Sequence, residues 1–373
     1  MESDLKMSEI NKSAFPKSEK AGSEFEKTDD STVVAVTGAT GLVGRAVVER
    51  LLRSEKYKVV ALGRRADALA GLAAECHAAC GNSENLTLRE CDVNDSAALD
   101  AALSGATVVV HAAGSVDNLA DRAAVFKVNV DGTRAVLAAA QKQNLKQFIH
   151  ISSLSTITGQ ADQYDVDESA PLVTCGEPYA DSKVEAEKCL AAARTKGSLP
   201  ITILRPGFIY GPGERAWMPR VIDNIRHGRA VLVDGGSRQT NVIFVGNLAM
   251  AVEAAILNSR AYGEVFNLTD GERVTKKLLF DEIAEGLALP PVKRDLPRQT
   301  IKPVFEIMAA ITPFLPKKMR PGLARFSPGA FRLVAVNQGF SIGKAEQLLD
   351  YRNRIPFRDG MAMTLAGFKK NGV

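Results

Sequence analysis

A doubly wound α/β fold, a parallel sheet between two helical layers with a smaller C-terminal lobe, is the class this 373-residue sequence predicts. Short unbroken apolar runs alternate with helical stretches, as strands buried on both faces require. The first run, Val33-Val34-Ala35-Val36-Thr37, leads directly into a glycine-rich turn that opens a helix. Beyond about Ile201 glycines and prolines become denser and the alternation loosens, which marks the second lobe.

In chain order, Met1 to about Ser31 is rich in Lys, Glu, Ser and Asp, with Phe15 and Phe25 its only large aromatics; it is expected to be a disordered tail. Residues 32–200 then form a dinucleotide-binding core. Residues 201–373 form a substrate lobe interleaved with the last core strands. The turn Gly38-Ala39-Thr40-Gly41-Leu42-Val43-Gly44 lies between a strand and a helix that runs through Arg53. Its glycines permit a tight turn, close approach of backbone N–H groups to a pyrophosphate, and packing of helix on strand. Strand-turn-helix is the context that separates such a pattern from chance.

The second strand, Lys58 to Leu62, ends in Gly63-Arg64-Arg65. An acidic residue here would suit the ribose hydroxyls of NAD, whereas an arginine suits a 2′-phosphate, so NADP(H) is expected through Arg64, with NAD the alternative. The plainer account makes both arginines solvated residues at a strand end. Further strands follow at Leu86 to Cys91, Thr107 to Ala113 and Phe148 to Ser152, with a long helix from Asp121 to Gln143. In such sheets ligands collect at the carboxyl ends of strands, where Asp92, Ala112, Ala113, Gly114 and Ser153 fall.

Composition narrows the function. Hydrophobic content of 46% and charge of 24% are ordinary globular values, and a net charge of +4 is too small and too dispersed for a nucleic-acid partner. Five cysteines form an odd set without repeated spacing, and no apolar signal segment precedes them; a reducing cytoplasmic setting is expected. Cys76-His77-Ala78-Ala79-Cys80 has no second Cys or His pair to complete a metal site, so a half-buried helix is the better account.

Tyr179-Ala180-Asp181-Ser182-Lys183 opens a helix reaching about Arg194. Four residues apart, Tyr179 and Lys183 share a face, so an ammonium can sit beside a phenol and favour its ionised form. By itself this spacing is as well explained by a surface tyrosine over a lysine stem.

The sequence resembles the extended short-chain dehydrogenase/reductase family, which has a Rossmann-type core. The matching stretches are Thr37 to Gly44, Cys91-Asp92-Val93, His111 to Gly114, Asn129-Val130-Asp131-Gly132-Thr133, Ile151-Ser152-Ser153, Tyr179 to Lys183 and Leu204 to Gly213. The resemblance implies dinucleotide contacts from Gly38, Thr40, Gly41, Leu42, Gly44 and Pro206, with Asp92 and Val93 at the adenine and Ala112 to Gly114 at its ribose. Asn129 would brace the central strands. Tyr179 would be the acid/base, and Lys183 would hold the nicotinamide ribose and lower the phenol's pKa. Counting from Phe148 gives Ser153 as the catalytic serine, with Ser155 a second polar contact and Ser152 the neighbouring alternative. Helices beginning near Asp121 and Tyr179 would form a homodimer interface.

Within that family, Leu204 to Gly213, Asn241 to Ala249 and Ser341 to Tyr351 look most like the 3β-hydroxysteroid dehydrogenase branch. That branch includes sterol-4α-carboxylate 3-dehydrogenases and 3-oxoalkanoate reductases. Nucleotide-sugar epimerases usually carry an Arg-Asp pair where Thr240 and Asn241 stand here, although Arg238 could substitute. In the second lobe Met218, Val221 and Ile222 have helical spacing, and either close the core or wall a pocket for an apolar substrate. The apolar run Val304 to Pro316 is too short to span a bilayer. It covers the pocket or core or, with its basic flanks, makes a peripheral membrane contact through 302–320. The expected activity is interconversion of a secondary alcohol and ketone on a bulky apolar molecule, a 3β-hydroxysteroid or sterol 4-carboxylate foremost. A nucleotide-sugar epimerase or dehydratase and a long-chain 2-alkyl-3-oxoalkanoate reductase are the alternatives. A non-catalytic dinucleotide sensor is disfavoured by Tyr179 and Lys183.

Overall fold

The computed structural model describes residues 32–370 apart from 82–83, 117–120, 160, 196, 198, 315–327 and 353. The expected tail therefore lies outside the described residues. Seven strands make the central sheet: β1 (Val33–Thr37), β2 (Lys58–Gly63), β3 (Leu86–Glu90), β4 (Val108–His111), β5 (Gln147–Ile151), β6 (Ile201–Pro206) and β7 (Val265–Leu268). Their spatial order is β7-β6-β5-β4-β1-β2-β3, all parallel. The order reverses between β1 and β4, which opens a crevice at their carboxyl ends. The last two strands come from beyond residue 200, so the second half of the chain completes the sheet of the first.

The α-helices of the described residues are α1 (Leu42–Ser54), α2 (Ala66–Cys80), α3 (Ser96–Leu103), α4 (Arg122–Phe126), α5 (Gly132–Lys142), α6 (Pro178–Arg194), α7 (Met218–Arg226), α8 (Val245–Ala255), α9 (Lys276–Gly286), α10 (Arg298–Ile311), α11 (Pro328–Ala335), α12 (Gly343–Leu348) and α13 (Phe357–Lys370). The period-two alternation of β1 sends Val34 and Val36 into one layer, with Val47 and Leu51 of α1 and Val252 of α8. Ala35 faces the other layer, with Leu99 of α3, Val136 of α5 and Leu190 of α6.

Two expectations are refined. The helix expected from Asp121 to Gln143 is interrupted by one π turn, Lys127–Asp131, between α4 and α5, and that turn carries Asn129. Strand β4 stops at His111 because Ala112 and Ala113 leave the ladder to approach Gly38.

Met218, Val221 and Ile222 of α7 are buried in the same core cluster as β1 and α1, so packing is the observed role of that stripe. Ile301 and Phe305 of α10 pack with Phe331, Ala335 and Val336 on or just beyond α11. The opposite face of this segment is open: Val304, Ile307, Ile311 and Phe314 are 46, 57, 44 and 88% exposed. Among the described residues no helix is long and apolar enough to cross a membrane. In α2, Cys76 is buried against the α1 layer and Cys80 lies beside the Glu49 carbonyl.

Candidate active site

The sequence-predicted site residues lie in the turns at the carboxyl ends of the strands or at the strand ends themselves, with Leu42 and Gly44 in the first turn of α1, while Asn129, Tyr179 and Lys183 come from the π turn and α6. Gly38 follows β1 with φ +65°. A Cβ there would lie 2.7 Å from Ala113 Cα, so β1 and β4 leave room only for hydrogen. Gly44 is equally constrained, since a Cβ would lie 2.2 Å from the Gly38 carbonyl oxygen. Gly41 N–H donates to that carbonyl at 2.9 Å, and Gly41 caps α1 without a side-chain bond to the first-turn N–H groups. Leu42 begins this first turn, and Thr40 touches the end of β2, its Cγ2 3.3 Å from a Cβ built on Gly63. A glycine-lined helix start of this kind, held against two strand ends, fits the pyrophosphate of a dinucleotide.

Around this cradle, Arg65 is tied to Asp67, while Arg64 is exposed at the end of β2. Asp92 caps its own turn through Asn94 N–H and Nδ2, at 2.9 and 3.0 Å. Those bonds, together with nearby Arg64 and Lys127, hold its carboxyl below the usual range. Val93 fills the space above Gly132, where a Cβ would meet its Cγ2 at 2.9 Å. Pro206 ends β6 and is buried.

A hydrogen-bonded wire then crosses the molecule. Ala113 N–H donates to Thr37 Oγ1 at 3.2 Å, and Thr37 Oγ1 lies 2.8 Å from His111 Nδ1. His111 Nε2 lies 3.1 Å from Thr133 Oγ1, which donates to the Asn129 carbonyl at 2.6 Å. Because Thr133 spends its proton on that carbonyl, His111 carries its proton on Nε2 and accepts from Thr37 at Nδ1. Burial pushes the His111 pKa down to about 3, which keeps the ring neutral. Asn129 continues the wire: Oδ1 accepts Ser115 N–H at 2.7 Å, and Nδ2 donates to the Ser115 carbonyl and to Ser182 Oγ at 2.9 and 2.8 Å. The π turn is what places this amide between the β4 loop and α6.

On α6, Lys183 Nζ donates to the Ile151 carbonyl at 2.8 Å and faces Gly114, 3.5 Å from where a Cβ would stand. Burial pulls its pKa down to about 8, opposed by the Glu187 carboxylate. Tyr179, one turn earlier, hydrogen-bonds Ser153; burial raises its pKa and the Ser153 bond opposes the rise. Ser153 accepts Ser155 N–H at 3.1 Å, while Ser155 Oγ is buried without a hydrogen-bond partner among the described residues. Ser152 turns the other way and donates to Glu187 Oε1 at 2.5 Å, so of the two serines Ser153 is the one beside Tyr179. The backbone thus brings Ser153, Tyr179 and Lys183 together at the carboxyl ends of β4 and β5. Sequence reading did not single out Glu187. The signal was present, since Tyr179, Lys183 and Glu187 are spaced i, i+4, i+8 on one face.

A cavity of about 600 Å³ lined by Asp167, Glu168, Arg194, Glu264 and Lys344 lies beside β7 and includes none of these residues. Among the described residues no cluster of His, Cys, Asp and Glu could hold a metal.

Known proteins share this fold. The NAD dependent epimerase/dehydratase family matches residues 34–269. A 3beta-hydroxysteroid-dehydrogenase/decarboxylase (isoform 1) of Arabidopsis thaliana is 25% identical over 362 residues, covering 92% of this chain and 81% of the relative. A decarboxylating sterol-4-alpha-carboxylate 3-dehydrogenase of Schizosaccharomyces pombe is 31% identical over 275 residues, covering 69% and 76%. The solved UDP-glucuronic acid 4-epimerase from Bacillus cereus, in complex with NAD, shares the fold with a TM-score of 0.69 at 20% identity, covering 91% of this chain and 99% of its own. The chain therefore belongs to the NAD dependent epimerase/dehydratase family, the extended short-chain dehydrogenases/reductases.

Proposed function

We propose that this protein is an NADP-dependent oxidoreductase that oxidises a secondary alcohol of a bulky apolar molecule, a 3β-hydroxysteroid or sterol 4-carboxylate, to the ketone. The observation that carries this reading is the convergence of Ser153, Tyr179 and Lys183 beside a dinucleotide cradle. Gly38, Thr40, Gly41, Leu42 and Gly44 would hold the pyrophosphate end, with Arg64 at the 2′-phosphate, Asp92 and Val93 at the adenine and Ala112 to Gly114 at its ribose. Asn129, Lys183 and Pro206 would frame the nicotinamide end.

The bound nicotinamide supplies the hydride acceptor. Ser153 hydrogen-bonds the substrate oxygen, and Tyr179 as phenolate takes the hydroxyl proton. Burial disfavours that phenolate, so positive charge at the site is needed, and Lys183, one turn further along α6, would supply it. If the adjacent carbon bears a carboxyl, the product is a β-keto acid, which releases carbon dioxide without a further catalytic group.

Arg238 weighs against a nucleotide-sugar. It lies 2.7 Å from the Asp234 carboxylate and 3.7 Å from that of Asp162, leaving it little charge for a diphosphate. Asp162 also binds Arg298 at 2.6 Å. The exposed face formed by Val304, Ile307, Ile311 and Phe314 supports the additional reading that α10 rests on the membrane surface from which such a substrate arrives. The part of that expected contact at 315–320 lies outside the described residues.

The test is reduction of NADP⁺ by the purified protein, offered a 3β-hydroxysterol 4-carboxylate, a 3β-hydroxysteroid and a long-chain 2-alkyl-3-hydroxy acid in parallel. Turnover of the first or second is expected. Tyr179→Phe should abolish it while retaining cofactor binding. Silence with all three, alongside conversion of a UDP-sugar, would overturn the proposal.

A further inference from the structure

Behind the three residues of the crevice lies a buried ionic knot. Glu187 is 3% exposed and Arg205 4%. Arg205, on β6 immediately before Pro206, donates from Nε to Glu187 Oε1 at 3.0 Å and from Nη2 to Oε2 at 2.6 Å. This is the fork-on-fork arrangement that makes Arg–carboxylate pairs directional. Oε1 also accepts the Ser152 hydroxyl at 2.5 Å, while the Thr156 hydroxyl spans Oε1 at 3.3 Å and the Ser153 carbonyl at 2.8 Å. One carboxylate therefore binds the residue before Ser153, the turn after it, and the strand that ends at Pro206. It does so from the helix that carries Tyr179 and Lys183, one turn beyond the lysine.

We infer that Glu187 is a positioning residue for the reaction proposed above: its carboxylate fixes the Ser153 turn against α6 and sets a buried negative charge one turn beyond Lys183 on the same helix. The first part follows from the bonds just given. The second follows from what surrounds the ammonium. Its neighbours on other elements are neutral: His111 on β4 and His150 on β5 are both buried with pKa values well below the ordinary range, and Asn129 and the Ile151 carbonyl carry no charge. On its own helix, burial raises the Tyr179 pKa, so before a cofactor binds that phenol offers no standing negative charge. Among the described groups, Glu187 is the anion that opposes the desolvation of Lys183. Arg205 aims the carboxylate, although its Nη1 has no partner among the described residues, so the pair is held by orientation rather than by complete satisfaction.

A structural knot and an electrostatic one predict different results. Glu187→Gln and Arg205→Gln each break the same buried pair, so both should lower the melting temperature. Only Glu187→Gln removes the charge facing Lys183. Its alkaline limb, measured as the pH dependence of NADPH affinity and of turnover, should move toward acid by up to about one unit, as loss of a nearby opposite charge requires. In Arg205→Gln the limb should stay or move toward alkali. The double variant Glu187→Gln/Arg205→Gln removes both members of the pair and should regain part of the stability lost by each single variant, yet keep the acid shift. Glu187→Asp, which preserves charge, should return the limb to its parent position. Identical pH limbs in the two single variants would refute the inference. So would a parent-like limb in the double variant. NADPH affinity is read without any substrate, so failure to oxidise a sterol would remove the proposed function and leave this test standing.

Discussion

Replacing Gly38 by alanine tests the join between cradle and sheet. The new Cβ would lie 2.7 Å from Ala113 Cα and 2.8 Å from Ala113 N, against an ordinary contact of 3.4 Å or more. Ala113 would have to retreat by about 0.7 Å, and both close atoms are backbone, which cannot swing aside as a side chain can. Left-handed backbone at φ +65° costs alanine about 1–2 kcal/mol. Retreat of Ala113 also breaks its N–H bond to Thr37 Oγ1, the first link of the wire to His111, worth about 1 kcal/mol. The sum is roughly 2–3 kcal/mol of lost stability, read from urea unfolding followed by circular dichroism. NADPH affinity, followed by nucleotide fluorescence, should fall at least about tenfold, because the displaced turn is the one that would meet the pyrophosphate. Gly71→Ala is the internal control: it is exposed within α2, no atom lies within 4 Å of the added carbon, and a gain of about 1 kcal/mol is expected. A Gly38→Ala protein with parent stability, within about 0.5 kcal/mol, and parent affinity would refute the reasoning.

Three further outcomes are expected. Arg64→Asp should cost about 10- to 100-fold in NADPH affinity and little for NADH, the loss of one charge-assisted bond; a parent that prefers NADH would sink the NADP assignment. Asp270 accepts Tyr210 Oη, Phe244 N–H and Asn247 Nδ2 at 2.7, 2.7 and 2.8 Å, yet burial pushes its carboxyl up to about 6. A raised folded pKa means the native state holds the proton more tightly, so this stability is full below about pH 4 and lost as pH rises to about 6. Asp270→Asn should flatten the pH dependence of unfolding in that window by roughly 3 kcal/mol, and an unchanged slope would contradict the burial argument. Val304→Ser/Ile307→Ser should leave the melting temperature unchanged, since both residues are exposed, and weaken co-sedimentation with phosphatidylserine vesicles by at least about tenfold. Equal sedimentation of parent and variant would remove α10 as the contact.

The order of strands and helices was legible because each strand is an unbroken apolar run and each turn after it carries glycine or a polar residue. Tyr179 and Lys183 were legible from helical spacing, and their burial was not. The Ser152/Ser153 choice turned on Glu187, thirty-five residues away along the chain, so no local count decides it. The π turn was invisible for a related reason: its sequence, Lys127-Val128-Asn129-Val130-Asp131, has nothing against ordinary helix, and the extra residue is set by where the Asn129 amide must reach. Whether Arg238 could substitute for the missing arginine depended on two carboxylates that lie against it, one from 76 residues earlier. In each case the missing information was a contact between distant segments.

The hydrogen-bonded wire from Ala113 through Thr37, His111, Thr133 and Asn129 to Ser182 joins the glycine turn to the tyrosine-bearing helix by uncharged links. Such links neither titrate in the physiological range nor weaken with salt, so the two ends behave as one casting over a wide range of solvent conditions. α10 and α11 pack on each other in a separate small cluster outside that casting, so substitutions there leave the join between glycine turn and tyrosine-bearing helix intact.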